Sequence, residues 1–443
     1  MTKSSIGLYL LGLPLMVLIY FLGYEVERTD FLSVILPYAG LFLLYIIAYQ
    51  YANTNKLIQY FIGVAILMRF ILVFEMPNLS DDIYRFIWDG RLWWSGVNPF
   101  DQLPSALMES GNLPLLLDES LYDLLNSPNY FTIYPPVLQG IFVTATGLFP
   151  TDIWSSMVTM KLFLLVFEIG SIVLIWRLLK KWNLPDKNIL LYALNPLIIL
   201  EIVGNLHFEG AMVFFLVLAL YLLEKEQLHW SAVAFALSVA SKLLPLMFLP
   251  FLIPLLGWKR SFQYFIIVGS VTLALFIPLF SAEFIANFGD SLNLYFQKFE
   301  FNASLYYIFR WIGFQQVGYN MISVIGPGLA GTAGLLILGL AFLKYRGKTV
   351  HSLPLQWMIA ISIYLFCTTT VHPWYTTLPL VLCLFTRFRY PVIWTGLIFL
   401  TYINYSYPVY FENLWMVGLE YSVVILILIF EYKASDTLKT SDA

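Results

Sequence analysis

Long apolar runs, separated by short polar segments, make up most of the chain. A helix that crosses the hydrocarbon core of a bilayer needs about 20 mainly apolar residues. The runs near that length are predicted to be membrane spans, and they are Ile6–Tyr24, Phe31–Gln50, Leu57–Phe74, Ser156–Leu179, Asn188–Val203, Gly210–Leu223, Phe262–Phe280, Met321–Leu343, Leu353–Thr370, Pro391–Tyr407 and Leu414–Phe430. The pattern predicts an all-α integral membrane protein, a polytopic helical bundle.

Three further apolar stretches fit this pattern less simply. His229–Leu256 is too long for one untilted helix and contains prolines, so we interpret it as two short spans that meet near Lys242. Trp374–Phe385 is a short span that follows a proline. Pro136–Phe149 is predicted to be re-entrant or shallow, because a full span there would invert the charges that follow it. The total is about 14 spans.

Clusters of lysine and arginine indicate the orientation, because such clusters favour the cytoplasmic side of a membrane. Alternation of the spans puts all four clusters and the N-terminus on the cytoplasmic face. The clusters are Arg177 with Lys180, Lys181 and Lys187; Lys259 with Arg260; Lys344 with Arg346 and Lys348; and Arg387 with Arg389. The same alternation predicts that Asp82, His207, His372 and Glu412 lie on the opposite, outer face.

Two long loops are predicted on that outer face, at residues 76–135 and 281–320. Both contain too many apolar residues to be disordered linkers, so they are predicted to contain amphipathic helices that lie on the membrane surface. No internal repeat or linker divides the chain. We therefore expect a single polytopic membrane domain that spans residues 1–443.

Composition agrees with this class and excludes others. Hydrophobic residues make up 60% of the 443 residues and charged residues 12%, and the mean hydropathy is +0.78. A soluble chain carries about 25% charged residues. The net charge of −3 argues against a nucleic-acid partner. Cys367 and Cys383 both lie in apolar runs, so the sequence predicts neither a disulfide framework nor a zinc site.

The most unusual polar segment opens the first outer loop and reads Ser80-Asp81-Asp82-Ile83-Tyr84-Arg85-Phe86-Ile87-Trp88-Asp89-Gly90-Arg91. Charged side chains are costly at bilayer depth, so such a cluster belongs at an interface or in a water-filled cavity and suggests a functional site. The simpler interpretation is a helix cap, since Asp is favoured at helix N-termini.

Further polar residues are predicted on the outer face or within the spans. Asn205, His207 and Glu209 lie in a turn between two spans, where a plain polar hairpin is an equally good explanation. Lys242 is either a snorkelling lysine or a cation for an anionic ligand. The remaining groups are His372, which on its own is more often structural, and Lys161 with Glu168, for which we favour a structural ion network that includes Arg69 or Glu201.

This set of groups suits glycosyl transfer from a lipid-linked phosphate. A carboxylate can take the proton of an acceptor hydroxyl as general base, and positive groups can stabilise the departing phosphate. Nucleotides are not available outside the cell, and the sequence contains no glycine-rich phosphate loop or dinucleotide fingerprint. A transporter or lipid flippase is the competing class, although the repeat symmetry common in such proteins is absent from the hydropathy.

The polar motifs also resemble those of the GT-C glycosyltransferases that use polyprenyl-phosphate-mannose. The resemblance is carried by the Asp81–Arg91 segment, Gly96-Val97-Asn98-Pro99-Phe100, Tyr134-Pro135-Pro136, Asn195-Pro196 with Glu201, Gly204-Asn205, His207 and Glu209, Ser241-Lys242-Leu243-Leu244-Pro245, and Val371-His372-Pro373-Trp374-Tyr375. Three spans precede the acidic loop where family members often have one. Glu209 replaces a frequent Asp, and Phe100 a usual Tyr.

The resemblance implies an inverting transferase whose site faces away from the cytoplasm of the inner or plasma membrane. Asp82 corresponds best to the family's catalytic acid, with Asp81 second. Lys242, Arg85 and His372 are expected to bind the donor phosphate. The expected substrate-binding residues are Tyr84, Trp88, Asp89, Asn98, Tyr134, Asn205, His207, Glu209, Trp374 and Tyr375. The sugar is expected to be mannose and the acceptor a hydroxyl of a glycolipid, glycan or protein, and a divalent cation remains possible as a cofactor.

Overall fold

A computed structural model describes residues 3–297, 299–343 and 349–441. Its α-helices are α1 Lys3–Leu10, α2 Gly12–Tyr24, α3 Phe31–Tyr51, α4 Asn55–Leu72, α5 Asp82–Trp94, α6 Pro104–Glu109, α7 Glu119–Tyr122, α8 Pro136–Leu148, α9 Ile153–Lys181, α10 Leu190–Ala193, α11 Pro196–Ile198, α12 Glu209–Glu224, α13 Leu228–Ser241, α14 Leu252–Leu256, α15 Trp258–Phe276, α16 Phe284–Gln297, α17 Leu305–Val317, α18 Ile322–Phe342, α19 Leu353–Cys367, α20 Thr377–Cys383, α21 Tyr390–Leu397 and α22 Leu414–Ser441.

Tighter and wider helical turns connect some of these helices. The 3₁₀ helices are Asp186–Ile189, Leu244–Phe251, Ile277–Leu279, Val350–Ser352, Pro373–Thr376 and Ile398–Tyr405, and a π-helix covers Ile199–Gly204. Within the described residues the only extended pairing is an isolated bridge between Phe301 and Thr370. The all-helical prediction is confirmed.

Eight helices of the described chain are long and apolar enough to cross a membrane. They are Gly7–Tyr24, Phe31–Tyr51, Asn55–Leu72, Ile153–Lys181, Trp258–Leu279, Ile322–Phe342, Val350–Cys367 and Leu414–Ala434. A ninth candidate is the pair Asp186–Ala193 and Pro196–Gly204, which is bent by 47° where Asn195 and Pro196 interrupt the helix. The chain is a polytopic helical membrane protein, but the predicted count of about 14 spans is not confirmed.

The irregular apolar stretches form shorter pieces. The predicted break near Lys242 is present, because α13 ends at Ser241 and a proline-containing 3₁₀ helix follows it. The 13 residues of α8 extend for only about 20 Å, which is too short to cross a bilayer and agrees with the prediction of a shallow segment. Pro391–Tyr407 is not one continuous helix, since α21 passes into a 3₁₀ helix at Ile398.

Contacts group the chain into two compact units. Unit 1 contains Met1–Met68, Leu179–Ile199 and Phe299–Ala443, and unit 2 contains Arg69–Leu178 and Leu200–Lys298. In unit 1, α2 packs on α3, α18 on α19 and α21 on α22. The Tyr38 ring of α3 stacks 3.6 Å from Phe399, and its hydroxyl donates to the Thr395 carbonyl at 2.6 Å, which satisfies the polar end of a buried aromatic side chain.

Unit 2 contains residues 76–135, the predicted first outer loop, together with α8, α12, α13 and α15. Within it, α13 packs against α12, α15 and α8, and α8 packs against α5. The contact between α5 and α8 is close at Gly90, where a Cβ would lie 2.7 Å from the Phe142 carbonyl oxygen and 2.6 Å from Thr146 Oγ1. Glycine therefore lets the acidic helix of the loop rest directly on the backbone of α8.

Candidate active site

Two adjacent aspartates lie at the start of α5, in the segment 76–135 that was predicted to be an outer loop. Asp81 is the N-cap residue, but its side chain makes no capping hydrogen bond, so the simple capping interpretation lacks its defining contact. Asp82 is the first helical residue, where the helix dipole favours a carboxylate. Its side chain is 26% exposed, and Oδ1 accepts a hydrogen bond from Asn126 Nδ2 at 2.7 Å.

An irregular backbone brings His207 close to this carboxylate. The π-helix Ile199–Gly204 is followed by Leu206 with φ +63°, a conformation that is unfavourable for a residue with a branched side chain. The His207 amide donates to the Glu201 carbonyl at 3.1 Å. Both π-turns and strained residues occur preferentially at functional sites.

The His207 ring lies between two carboxylates. Its Nδ1 is 3.0 Å from the Glu201 carbonyl oxygen and 3.1 Å from Glu201 Oε2, and its Nε2 is 3.9 Å from Asp82 Oδ2. Asn205 Nδ2 also donates to Glu201 Oε2, at 3.2 Å. Glu201 is fully buried and the His207 side chain is 4% exposed. Asp82, His207 and Glu201 therefore form a continuous polar row inside unit 2.

Arg85 and Asp89 form a second, structural network one turn further along α5. Arg85 Nε donates to Asp89 Oδ1 at 2.9 Å, and Nη1 donates to the carbonyls of Ser127 and Tyr130 at 3.1 and 2.8 Å. The other Asp89 oxygen accepts from Thr132 and Gln139. This buried pair ties α5 to the distal part of the loop.

Arg85 also faces a small open cleft in unit 2. The loop that Arg85 holds supplies most of the lining, and the polar side chains that line it are Arg85, Ser127, Tyr130, Thr132, Tyr134 and Ser291. Ser127 follows Asn126 in the chain, and Asn126 bonds to Asp82. Asp82 does not line the cleft, but the loop that lines it is linked to Asp82 through Asn126.

Lys242 has a protein partner. Its ammonium group donates to Glu209 Oε1, and the Lys242 side chain is 30% exposed while that of Glu209 is 4% exposed. Glu209 thus supplies a counter-charge for Lys242, whereas the sequence suggested an anionic ligand as its partner. The two predicted site residues therefore form one ion pair, and the binding of a donor phosphate by Lys242 stays a prediction.

The other predicted residues of unit 2 are mostly engaged by protein groups. Asn98 Nδ2 donates to the Leu279 carbonyl at 2.8 Å, which links the loop to the end of a span. Trp88 is fully buried, so contact with a sugar would need the loop to open. Tyr134 packs edge-on against Phe86 at 4.9 Å. Partial burial raises the pKa of Tyr84, which remains a neutral hydroxyl at neutral pH.

The predicted residues near His372 belong to unit 1. The amide of Phe301 donates to the Thr369 carbonyl, and the amide of Val371 donates to the Phe301 carbonyl at 2.8 Å. The His372 ring then stacks on Trp374 at 4.6 Å and on Phe301 at 4.7 Å. Tyr375 meets the imidazole edge-on at 5.4 Å. The His-Pro-Trp-Tyr motif thus builds an aromatic stack around an imidazole.

The intramembrane charges follow the structural interpretation in part. Arg69 and Glu168 form a fully buried ion pair at 3.0 Å, as the network interpretation predicts. Lys161 instead donates to the carbonyls of Leu72 and Glu75 at 2.9 and 2.6 Å, so it caps the end of α4.

Several residues that hold this site together were not on the list of predicted site residues. Asn126 lies 44 positions after Asp82 and has no motif of its own, so sequence spacing gave no signal for it. Thr132 and Gln139 hold Asp89 in the same way. Glu201 belongs to the motif that resembles the GT-C family, and its spacing to His207 was the available signal.

No group of three or more His, Cys, Asp or Glu side chains within the described ranges could hold a metal ion.

Comparison with known proteins gives one match. The model of a family described as alpha-(1->6)-mannopyranosyltransferase, N-terminal domain (the MptA_B family) matches residues 15–257, which is more than half of the chain and includes Asp82, His207, Glu209 and Lys242. His372 lies beyond the matched region. No curated protein matches the chain significantly. With its helical membrane architecture, the chain belongs to the alpha-(1->6)-mannopyranosyltransferase family and is a membrane mannosyltransferase of the GT-C type.

Proposed function

We propose that this enzyme transfers mannose from a polyprenyl-phosphate carrier to an acceptor hydroxyl on the non-cytoplasmic face, with inversion and with Asp82 as general base. The observation that carries the proposal is the environment of Asp82. It is a partly exposed carboxylate at a helix N-terminus, with Asn126 hydrogen-bonded to one oxygen and His207 near the other. Asp81 remains the second candidate for the base.

The proposed inversion determines the anomer of the donor. The name of the matched family specifies an alpha product. An inverting displacement gives an alpha product only from a beta-linked donor, so we propose a beta-linked mannosyl phosphate. The acceptor oxygen forms its bond to the anomeric carbon as the carbon–phosphate oxygen bond breaks. Asp82 takes the hydroxyl proton, and the phosphate leaves as an anion that needs no protonation, in contrast to glycoside hydrolysis.

The proposed donor follows from the side of the membrane. Basic clusters favour a cytoplasmic position for Lys181, Lys259 and Arg387, which puts the Asp82 loop on the other face. A nucleotide sugar is not available there, whereas a polyprenyl-phosphate sugar can diffuse within the bilayer. Each methylene that leaves water contributes about 0.8 kcal/mol, although only a part that exchanges lipid for protein contact adds selectivity.

Lys242 and Arg85, both in unit 2, are the groups proposed to bind the phosphate, and His372 of unit 1 stays a candidate from its motif. Because Lys242 shares its charge with Glu209 and Arg85 with Asp89, neither brings a full uncompensated charge to the site. A phosphate would therefore have to share each cation with its carboxylate partner, through the donors that the partner leaves available. For the sugar and acceptor we retain Tyr84, Asn205 and Glu209 of unit 2, while Trp374 and Tyr375 of unit 1 stay candidates from their motif. The family name suggests the primary 6-hydroxyl of a mannosyl glycan or glycolipid as the acceptor.

Two other functions are kept as outcomes of the test. Another polyprenyl-linked sugar would use the same base and the same membrane access. A lipid or glycolipid flippase would move its substrate without making a glycosidic bond, and the family match disfavours it.

The test is transfer by the purified protein in a lipid-defined system. We expect mannosyl product and free polyprenyl phosphate from polyprenyl-phosphate-mannose, and no product from GDP-mannose when the carrier is absent. Product from the nucleotide sugar alone would refute the lipid-linked donor. Turnover of another polyprenyl-phosphate sugar but not mannose would overturn only the sugar.

A further inference from the structure

The polar row behind Asp82 has features that a binding role for His207 does not explain. The side chain of His207 is 4% exposed, so it presents little surface to a sugar. One ring nitrogen is directed at Glu201 and the other at Asp82. An imidazole between two carboxylates can exchange a proton with one of them while the other stabilises its charge.

The hydrogen bonds fix the tautomer of His207. Its Nδ1 faces the carbonyl oxygen and the Oε2 atom of Glu201, and a carbonyl can only accept. Nδ1 therefore carries a proton. In the neutral ring, Nε2 then carries the lone pair and faces Asp82 Oδ2 at 3.9 Å. Two acceptors at this separation share no proton in the resting site.

The two oxygens of Asp82 are not equivalent. Oδ1 already accepts the amide N–H of Asn126 at 2.7 Å, whereas Oδ2 is the oxygen nearest to His207. A proton taken from a substrate hydroxyl is therefore best accommodated on Oδ2. A side-chain rotation that shortens the gap by about 1 Å would put this proton in hydrogen-bond range of Nε2.

We propose that His207, held by Glu201, is the second proton acceptor of the reaction and takes from Asp82 the proton of the acceptor hydroxyl. This inference rests on the proposed role of Asp82 as base. The acceptor O–H bond breaks as the O–H bond of Asp82 forms. That bond then breaks as an N–H bond forms at Nε2, which restores the Asp82 carboxylate, and the imidazolium returns the proton to the departed phosphate or to water.

The chemistry of the groups favours this direction. In model peptides an imidazole is a stronger base than an aspartate by about two to three pH units. The buried Glu201 carboxylate stabilises the imidazolium that forms, as the aspartate does in a Ser-His-Asp triad. Asn205 holds Glu201 in place through its amide at 3.2 Å. His207 acts through Asp82 and is a positioning residue in this scheme.

The experiment is a double-mutant cycle on kcat, measured with polyprenyl-phosphate-mannose. His207→Gln should lower kcat by roughly 10–100-fold with little change in the KM for donor or acceptor. In the Asp82→Asn background the same change should lower the residual kcat less than about 3-fold, because the proton no longer passes through residue 82. His229→Gln, at an exposed histidine, is the matched control and should leave kcat unchanged.

Glu201→Gln provides an independent arm in case His207→Gln does not fold. It keeps an acceptor for Nδ1 but removes the charge that stabilises the imidazolium, so kcat should fall in the native background and not in Asp82→Asn. An equal fall in kcat in both backgrounds, or a higher KM with unchanged kcat, would overturn the relay and leave the proposed function intact. Absence of transfer by the unmodified enzyme would overturn the proposed function, and the relay with it.

Discussion

Three aspartates of one short helix show how environment separates residues of the same type. Asp89 is fully buried and accepts from Arg85, Thr132 and Gln139, so its oxygens are committed to the fold. Asp81 occupies the N-cap position. Asp82 combines partial exposure with only one strong donor, Asn126. Asp81 and Asp82 are both partly exposed, unlike Asp89, so either could meet a substrate hydroxyl, and Asp82 stays the proposed base with Asp81 second.

The Lys242–Glu209 pair should contribute to stability as a unit. Removal of one partner leaves a charge in a partly buried site, which is costly, but the 30% exposure of Lys242 reduces that cost. Lys242→Gln and Glu209→Gln should each lower the free energy of unfolding by more than half of the loss in the double variant. The coupling energy between the two side chains should be about 1 kcal/mol. Thermal unfolding of the four proteins in one detergent measures it, and additive effects would contradict the pairing.

Glu412 should make the stability of the enzyme depend on pH. Burial raises the pKa of this loop carboxyl above the usual 4.5, although Tyr307 and Asn302 donate to it. A raised pKa favours the protonated form in the folded state. Its contribution to stability is therefore complete below about pH 4.5 and is lost as the pH rises through the higher folded value.

Substitution of Glu412 isolates this effect. Glu412→Gln keeps hydrogen-bonding groups for Tyr307 and the Asn302 amide but does not ionise. The unfolding temperature of the natural protein, relative to that of the variant, should decrease between pH 4.5 and 7. A constant or increasing difference would show that the carboxyl ionises more easily in the folded state.

At the scale of elements, the site depends on close helix contacts and on irregular helical turns. The acidic helix α5 packs on α8 through Gly90, and the π-helix at Ile199–Gly204 directs Glu201 and His207 toward each other. Regular helices in both places would separate Asp82 from its neighbours, because a one-residue shift rotates a helical side chain by about 100°.

Gly90→Ala should disturb the position of α5. The added methyl would lie 2.7 Å from a backbone carbonyl, which cannot move as a flexible side chain can. We expect a loss of about 1–3 kcal/mol, as for overpacked cores, and a lower kcat. Gly140→Ala on α8 is the matched control, because no atom lies within 4 Å of its Cβ, and it should be neutral or slightly stabilising. Equal behaviour of the two variants would contradict the close contact.

At the scale of the whole molecule, hydrophobic patterning predicted the class and most long helices, since apolar run length determines what can cross a bilayer. It did not predict that Pro391–Tyr407 is broken at Ile398, and although the break near Lys242 was predicted from its prolines, the 3₁₀ form of Leu244–Phe251 was not, because hydropathy carries no information on helical type. Motifs located Asp82, His207 and Glu209, but the Asn126 contact and the Lys242–Glu209 pair depend on long-range packing that linear spacing does not encode.

The orientation in the membrane can be tested with single cysteines. Leu115→Cys in the first outer loop and Tyr319→Cys in the second are at exposed positions, as is Lys181→Cys in a basic cluster. An impermeant thiol reagent added to intact cells should label the first two and not the third. Both natural cysteines are buried and should add little background. Labelling of all three from outside would contradict the orientation.

The most direct test of the central claim is the turnover number of Asp82→Asn with polyprenyl-phosphate-mannose. The amide keeps the size and hydrogen bonding of the carboxylate but cannot accept the hydroxyl proton. We predict that kcat falls by roughly 10²–10⁴-fold, that the unfolding temperature stays close to that of the natural enzyme, and that Asp81→Asn has a smaller effect. Equal and mild losses in the two variants would contradict the assignment of Asp82 as the base.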